Sequence, residues 1–376
     1  MVGAFKTGDR VDNRFELLAK VASGGVGQVF RAHDLHTGRS VAVKVMFDED
    51  ELSTVRFGRE AQLLATINHP GIVRYVAHGQ TPAGAPYLAM EWLEGDDLGA
   101  ILSRRSAPTH DGITGLTMRD PQGLDRGSIS ALSLSEVLWL GRQLASALGA
   151  LHELGVVHRD VKPSNVFAID GDLEHIKLLD FGTARIGRTP TSLTRTGAIV
   201  GTPSYMAPEQ VNGDKTLTPA VDVWATGALL FECLTGEPPF KARTVLAVLT
   251  KIAIADPPDL AELRPDLPPA LCELVMRSLA KEPQERPRDG QALLAALAAI
   301  NVDRPTLQPR ATGSGSAYAI TRAERRVHCV LLAQRVRLGG DETAELQRLA
   351  SEAGAKLTHL PDESVLVTAQ SSALPM

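Results

Sequence analysis

The sequence has little from which to build a cross-linked or cysteine-ligated scaffold. Its three cysteines, Cys233, Cys272 and Cys329, are scattered through 376 residues with no CxxC pair. That spacing excludes a disulfide framework and a cysteine zinc site, and it suits a reducing compartment. There is no apolar run of the roughly 20 residues needed to cross a bilayer. The first residues, Met1 to Arg10, have no apolar stretch ahead of a cleavage site. The expectation is a cytoplasmic protein with no membrane span. Excess charge is absent too: 39 Lys+Arg stand against 44 Asp+Glu, a net −5. Nothing in that balance draws the chain to nucleic acid or to an anionic surface. What is present is an ordinary globular composition, 44% apolar and 22% charged, over a length that suits two domains or three.

Alternating apolar residues with intervening turns predict strands at Phe15–Val21, Gln28–His33, Ser40–Val45, Ile72–Ala77 and Pro86–Trp92. Helical spacing covers Arg56–Ile67 (Phe57, Ala61, Leu64). It returns at Ser135–Leu154, which opens at Ser133 or Ser135 with Glu136 close behind. Val221–Thr235, Ala270–Ala280 and Gly290–Ile300 are further helical segments, separated by proline-bearing loops. The chain therefore reads as α+β, a small sheet lobe followed by a mostly helical one. Ser103–Ala131, rich in Gly, Pro, Ser, Thr and Asp without periodicity, reads as a flexible insertion. Asn301–Ala319 has linker composition.

Three stretches carry chemistry. Val21-Ala22-Ser23-Gly24-Gly25-Val26-Gly27-Gln28-Val29 is a glycine-rich turn between two strands, where missing side chains let backbone N–H groups approach phosphate oxygens. On its own it reads equally as a plain hairpin. A dinucleotide-binding turn would be followed by a helix, and a strand follows here. In Val41-Ala42-Val43-Lys44, alternation sets Ala42 and Lys44 on one strand face; an inward lysine needs an anion, from a phosphate or from Glu60, whereas an edge lysine would be merely solvated. Most specific is His158-Arg159-Asp160-Val161-Lys162-Pro163-Ser164-Asn165 followed by Asp180-Phe181-Gly182. This arrangement can set a base, a phosphate clamp and hard oxygen ligands suited to Mg²⁺ around one point.

These stretches, in this order, resemble the signature set of a serine/threonine protein kinase of the eukaryotic-like bacterial type. Gly201-Thr202-Pro203-Ser204-Tyr205-Met206-Ala207-Pro208-Glu209, Asp222-Val223-Trp224-Ala225-Thr226-Gly227 and Glu285-Arg286-Pro287 extend the likeness. It implies a bilobal kinase fold: an N-terminal extension 1–14, then a kinase domain 15–300. The domain divides into an N-lobe 15–92 with a five-stranded antiparallel sheet and helix C, and a C-lobe 93–300 carrying the insertion 103–131. It implies ATP and Mg²⁺ as cofactors and Ser/Thr-bearing protein substrates as partners, itself among them in trans.

By the same resemblance Asp160 accepts the proton of the acceptor hydroxyl, Lys162 stabilises the γ-phosphate, and Asn165 and Asp180 hold the metal. Lys44, fixed by Glu60, grips the α- and β-phosphates. Val21, Val29, Ala42 and Phe167 sandwich the adenine; the Glu91 carbonyl and Leu93 amide meet its edge, with Asp97 near the ribose. Leu64, Tyr75, His158 and Phe181 form a packed column. Arg286 pairs with Glu209, and Asp222 holds the catalytic loop from beneath. Ala22 stands where the family's first loop glycine would be, and one methyl group there is expected to weaken nucleotide affinity rather than abolish activity. Lys162 and Thr202 resemble Ser/Thr rather than Tyr kinases. A nucleotide-binding pseudokinase scaffold is the alternative, and a small-molecule phosphotransferase a third reading.

Arg159, beside Asp160, calls for an anion. Thr194 and Thr196 resemble the paired threonines that related kinases autophosphorylate, although solvated loop hydroxyls are the simpler account. In residues 320–376, beyond the linker 301–319, strands are predicted at Val327–Ala333, Lys356–His359 and Ser364–Thr368, with a helix at Thr343–Ala353. This tail resembles a fragment of the class III nucleotidyl cyclase-like domain that follows some bacterial kinase domains. Gln334 replaces the expected metal-binding aspartate, so no cyclase activity is expected. A small α+β segment and a disordered tail both stay open.

Overall fold

The structure is a computed structural model that describes residues 5–23, 27–47, 61–62, 64–82, 84–106, 132–180 and 203–300, together with 327–333, 348, 355–359 and 365–371. The described residues up to 300 belong to one compact unit and those from 327 onward to a second.

The first unit opens with a six-stranded sheet of β1 (Arg10–Val11), β2 (Phe15–Ser23), β3 (Gly27–Asp34), β4 (Arg39–Met46), β5 (Tyr75–Gln80) and β6 (Pro86–Glu91), in the order β1-β2-β3-β4-β6-β5. All its pairings are antiparallel. It has one more strand than the alternation predicts. β1 turns back onto β2 through Asp12 (φ 56°) and Asn13 (φ 51°), two residue types that tolerate left-handed backbone. Along β4 the pleat separates two faces. Val41, Val43 and Val45 are buried against Phe15, Leu17, Phe30, Ala32, Tyr87 and Ala89 in an outer core. Ala42 and Lys44 therefore share the opposite, half-buried face. Two register shifts in β2, at Leu17/Ala19 and Lys20/Ala22, interrupt its ladder with β3 just before the glycine turn.

A small sheet of β7 (Gly95–Asp97), β8 (Val166–Ile169) and β9 (Ile176–Leu178) follows. The helices are α1 (Leu98–Ser106), α2 (Leu134–Glu153), α3 (Pro208–Val211), α4 (Ala220–Thr235), α5 (Val245–Ile254), α6 (Leu260–Leu263), α7 (Pro269–Ser278) and α8 (Gly290–Ala298). Ser133 caps α2 in a full capping box with Glu136. α4 is mostly apolar and buried over nearly its whole length, as the centre of a helical lobe must be. It ends where Gly236 takes φ 81°. The two lobes share one core, in which Leu88 and Met90 of the large sheet join Leu144, Leu148 and Leu178. Leu178 also bridges to Ile72, and its N–H donates to the Gly71 carbonyl at 2.8 Å.

The predicted insertion begins later than expected, since 103–106 continue α1; residues 107–131 lie outside the described residues. Of the predicted helix Arg56–Ile67, Ala61, Gln62 and Leu64 are described as helical, and Ala61 and Leu64 are buried. In the second unit, β10 (Val327–Ala333) and β11 (Ala355–His359) flank a central β12 (Val365–Ser371), all antiparallel. His359 pairs with Val365, the hairpin that the sequence pattern predicts. The predicted helix Thr343–Ala353 falls outside the described residues except for Arg348.

Candidate active site

The site is built on Asp222, fully buried in the first turn of α4. Its carboxylate accepts the backbone N–H groups of His158 and Arg159, each at 2.7 Å, and Nε2 of His152 lies 2.9 Å away. Nδ1 of His152 accepts the Gly290 N–H at 3.0 Å. The ring is therefore set with its proton on Nε2, toward Asp222. Arg159 is held at φ 66°, and its carbonyl accepts the Gln210 side-chain amide at 2.9 Å. These bonds fix the loop in a conformation that a non-glycine residue adopts only when its surroundings demand it.

What the loop then presents is a polar cluster. The Asp160 carboxylate accepts Lys162 Nζ at 2.8 Å and Asn165 Nδ2 at 3.1 Å. Asn165 Nδ2 also donates to the Asp160 carbonyl at 2.7 Å. His158 Nδ1 accepts the Asp160 N–H at 3.3 Å while its Nε2 faces the Leu179 carbonyl at 2.9 Å. The Leu179 N–H in turn donates to the Asn165 carbonyl at 2.8 Å. This last bond ties the loop to Asp180, the next residue, itself at φ 47°. Asp180 Oδ1 meets Lys44 Nζ at 2.7 Å, with Lys44 13% and Asp180 40% exposed. Three stretches of the chain thus converge: Asp160, Lys162 and Asn165 in one loop, then Asp180, then Lys44.

Above them lie the residues predicted to enclose a flat ring. Lys44 sits opposite Val29 on one neighbour and Leu88 on the other, and Ala42 opposite Met90. Val29, Ala42 and Phe167 are half-buried, whereas Val21 is 56% exposed at the mouth. Ala22 pairs with Val29 and Ser23 with Gln28. Gly24, Gly25 and Val26 lie outside the described residues. Gly27 is constrained, since a Cβ there would stand 2.4 Å from the Val45 carbonyl oxygen; part of that glycine's role is close strand packing.

In the segment joining the lobes, the Glu91 N–H donates to the Arg74 carbonyl at 2.9 Å. The Glu91 carboxylate takes Lys177 Nζ at 2.6 Å and the Arg74 N–H at 2.8 Å. Leu93 packs on the shared core. Asp97 caps α1, its Oδ1 accepting the Ala100 N–H at 2.9 Å. Of the predicted column, Leu64, Tyr75 and His158 are described and inward, and Phe181 is not described.

Glu60, the predicted partner of Lys44, lies outside the described residues, as do Thr194, Thr196 and Thr202. Arg159 Nε is buried and has no hydrogen-bond partner among the described residues. Farther down, the Arg286 guanidinium forks onto Glu209 at 2.7 and 2.9 Å, both residues buried. It also donates to the carbonyls of Ala220, Ala280 and Lys281. The sequence reading missed His152, Gln210 and Lys177, whose partners lie 51 to 86 residues away, beyond any local spacing. It also missed Glu232, whose carboxylate accepts the Tyr205 hydroxyl at 2.5 Å. Burial holds both groups above their ordinary pKa.

Residues 15–296 match the family model described as the protein kinase domain. The chain belongs to the protein kinase family. Serine/threonine-protein kinase pkn3 of Myxococcus xanthus is 33% identical over 322 residues, 82% of this chain and 54% of the relative. Serine/threonine-protein kinase PknA of Mycobacterium tuberculosis is 35% identical over 315 residues, 82% of this chain and 66% of the relative. The chain therefore spans between about half and two-thirds of the length of these relatives. Among solved structures, the Mycobacterium tuberculosis PknI kinase domain superposes with a TM-score of 0.58 at 25% identity, covering 78% of this chain and 99% of that one.

Membership in the protein kinase family implies ATP as phosphoryl donor and typically a divalent metal. The donor set fits a hard cation. Asn165 spends its Nδ2 on Asp160, which leaves its amide oxygen, and Asp180 keeps the carboxylate oxygen that Lys44 does not use. The family match ends at residue 296, and these relatives lend no support to a cyclase-like reading of 320–376. Among the described residues no helix is long and apolar enough to cross a membrane.

Proposed function

We propose that this chain is a serine/threonine protein kinase that transfers the γ-phosphoryl group of Mg-ATP to Ser/Thr hydroxyls of proteins, through a kinase domain at 15–300. The observation that carries the reading is the convergence of Asp160, Lys162, Asn165, Asp180 and Lys44 through bonds of 2.7 to 3.1 Å. Phosphoryl transfer asks a protein mostly for positioning and for neutralisation of charge on the transferring group. Asp160, aimed by Asn165 and by its own backbone bond to His158, orients the acceptor hydroxyl and receives its proton. Lys162 shifts from Asp160 toward the γ-phosphate, and Lys44 toward the α- and β-phosphates. Asn165 and Asp180 would hold a Mg²⁺ ion, which would supply the remaining charge neutralisation. Val21, Val29, Ala42 and Phe167 line the adenine slot, with the Glu91 carbonyl and Leu93 amide at its edge and Asp97 toward the ribose.

Activation follows from Arg159. A phosphate on Thr194 or Thr196 would bring about −1.5 to −2 charges to a guanidinium whose buried Nε has no partner among the described residues. The pseudokinase alternative finds no favouring observation, since each residue with a transfer role is present. The test is transfer from labelled ATP to generic protein substrates by the full chain, with Asp160→Asn and Lys44→Met alongside. Label on serine and threonine that both substitutions abolish is the expected result; undiminished transfer in both would refute the reading.

A further inference from the structure

The outer end of the proposed adenine slot carries a side-chain cluster that the transfer chemistry does not use. On β3, two residues beyond Val29, Arg31 stands directly opposite Ala42 of β4, and Ala42 in turn stands opposite Met90 of β6. Residues opposite one another in antiparallel strands share a face, so Arg31 belongs to the slot face with Val29, Ala42 and Lys44. Its guanidinium spans the width of β4 and lies 4.9 Å from the centre of the Trp92 ring, in the segment that joins the lobes. Glu94 completes the group. Its Oε1 accepts the Trp92 Nε1–H at 2.7 Å and lies 3.6 Å from Arg31 Nη2, so one carboxylate oxygen holds both members of the stack.

Arg31 Nε is buried and has no hydrogen-bond partner among the described residues, although the side chain as a whole is 42% exposed. A long arginine at a surface ordinarily turns its donors to water, because burying one without an acceptor is unfavourable. Here the guanidinium gives up part of that hydration for the face of Trp92, which marks the stack as a built contact. What it joins gives the contact a purpose. Among the described residues β3 pairs with β2 and β4 and has no ladder to the joining segment. The stack is thus a direct tie from the strand that carries Val29, in the upper wall of the slot, to the segment 91–93 along its edge.

We propose that Arg31 is a positioning residue for the nucleotide base: stacked on Trp92 and held by Glu94, it fixes β3 against the joining segment and so sets the height of the slot under Val29 and Ala42. The inference rests on the protein-kinase reading and adds to it a residue that touches neither phosphate nor metal. It is tested with the full chain as wild type, Arg31→Leu, Arg31→Lys, Trp92→Ala and the Arg31→Leu/Trp92→Ala double variant. The measurements are kcat, KM for ATP, and inhibition by adenosine and by tripolyphosphate, two probes that separate the base half of the site from the phosphate half.

Arg31→Leu is expected to raise the ATP KM and the adenosine inhibition constant by the same factor, roughly five- to twentyfold, the size expected of a cation–π contact plus a partly exposed ion pair. kcat and tripolyphosphate inhibition should stay within about twofold. Arg31→Lys keeps a cation and should recover part of the loss. Trp92→Ala should reproduce it, and the double variant should lose little more than either single one, because both remove one contact. A lowered melting temperature with every constant unmoved overturns the assignment, as do equal losses for adenosine and tripolyphosphate or a fall in kcat with KM unchanged. Those results leave the kinase reading standing. Absence of transfer by wild type to any protein overturns that reading and the assignment with it.

Discussion

The floor and the roof of the cleft are held in different ways. On the floor, the loop 158–165 is gripped from within its own lobe: Asp222, His152 and Gln210 fix its backbone, and Asn165 fixes Asp160. In the roof, Lys44 has no such support among the described residues, and its partner is Asp180 across the cleft. A charge pair between two groups that both have prospective ligands is easily exchanged. A buried carboxylate accepting two backbone N–H groups is not, because releasing it strands donors at about 1–3 kcal/mol each. On the proposed reading, these bonds set the floor in advance, while a bound nucleotide would replace the Lys44–Asp180 pairing in the roof.

The comparison can be broken most severely at Asp160. Asp160→Asn should lower phosphoryl transfer by roughly 10²–10⁴-fold, the range for a lost general base, with little change in melting temperature; rate assays and calorimetry on one preparation check both. Next comes the support beneath the floor. Asp222→Ala leaves the His158 and Arg159 N–H groups without their acceptor, so stability should fall by about 2–6 kcal/mol in denaturant titration, with activity falling alongside. Arg286→Ala breaks a buried pair and strands Glu209, a loss of about 3–5 kcal/mol. The same substitution at the exposed pair Arg104–Asp96 should cost less than about 1 kcal/mol.

A smaller effect sharpens the contrast through pH. Arg105 lowers the Glu136 pKa from 4.5 to about 2, aided by Ser133. A depressed carboxylate contributes stability above its unfolded pKa and loses it as pH falls through the folded one. Arg105→Ala should therefore cost about 1 kcal/mol or less at neutral pH, the pair being partly solvated, and the difference should vanish between about pH 4.5 and 2 in acid titrations of both proteins. Least of all, Ala22→Gly should tighten ATP binding a few-fold without changing stability by more than about 1 kcal/mol.

The contiguous parts of the site were legible because their residues lie within one loop: Asp160, Lys162 and Asn165 meet through bonds spanning at most five positions. Ser133, Glu136 and the α2 stripe were legible for the same reason. What the sequence concealed is long-range. No local pattern links His152 to Asp222, Gln210 to Arg159 or Glu91 to Lys177, and alternation in β4 identifies a face for Lys44 without naming Asp180 as its partner. α5 was overlooked because its apolar residues, Val245, Leu246, Val248, Leu249, Ile252 and Ile254, are too dense to display a stripe. β1 was overlooked because it is two residues long, although Asp12-Asn13 is a turn signal that could have revealed it.

The most direct test of a prebuilt floor beneath a nucleotide-completed roof is to measure ATP affinity and phosphoryl transfer together for Asp160→Asn and Lys44→Met. The account predicts that Asp160→Asn binds ATP within about threefold of wild type while transfer drops at least a hundredfold, and that Lys44→Met loses affinity as well as rate. Undiminished transfer by Asp160→Asn, or loss of its nucleotide binding in step with its rate, would contradict it.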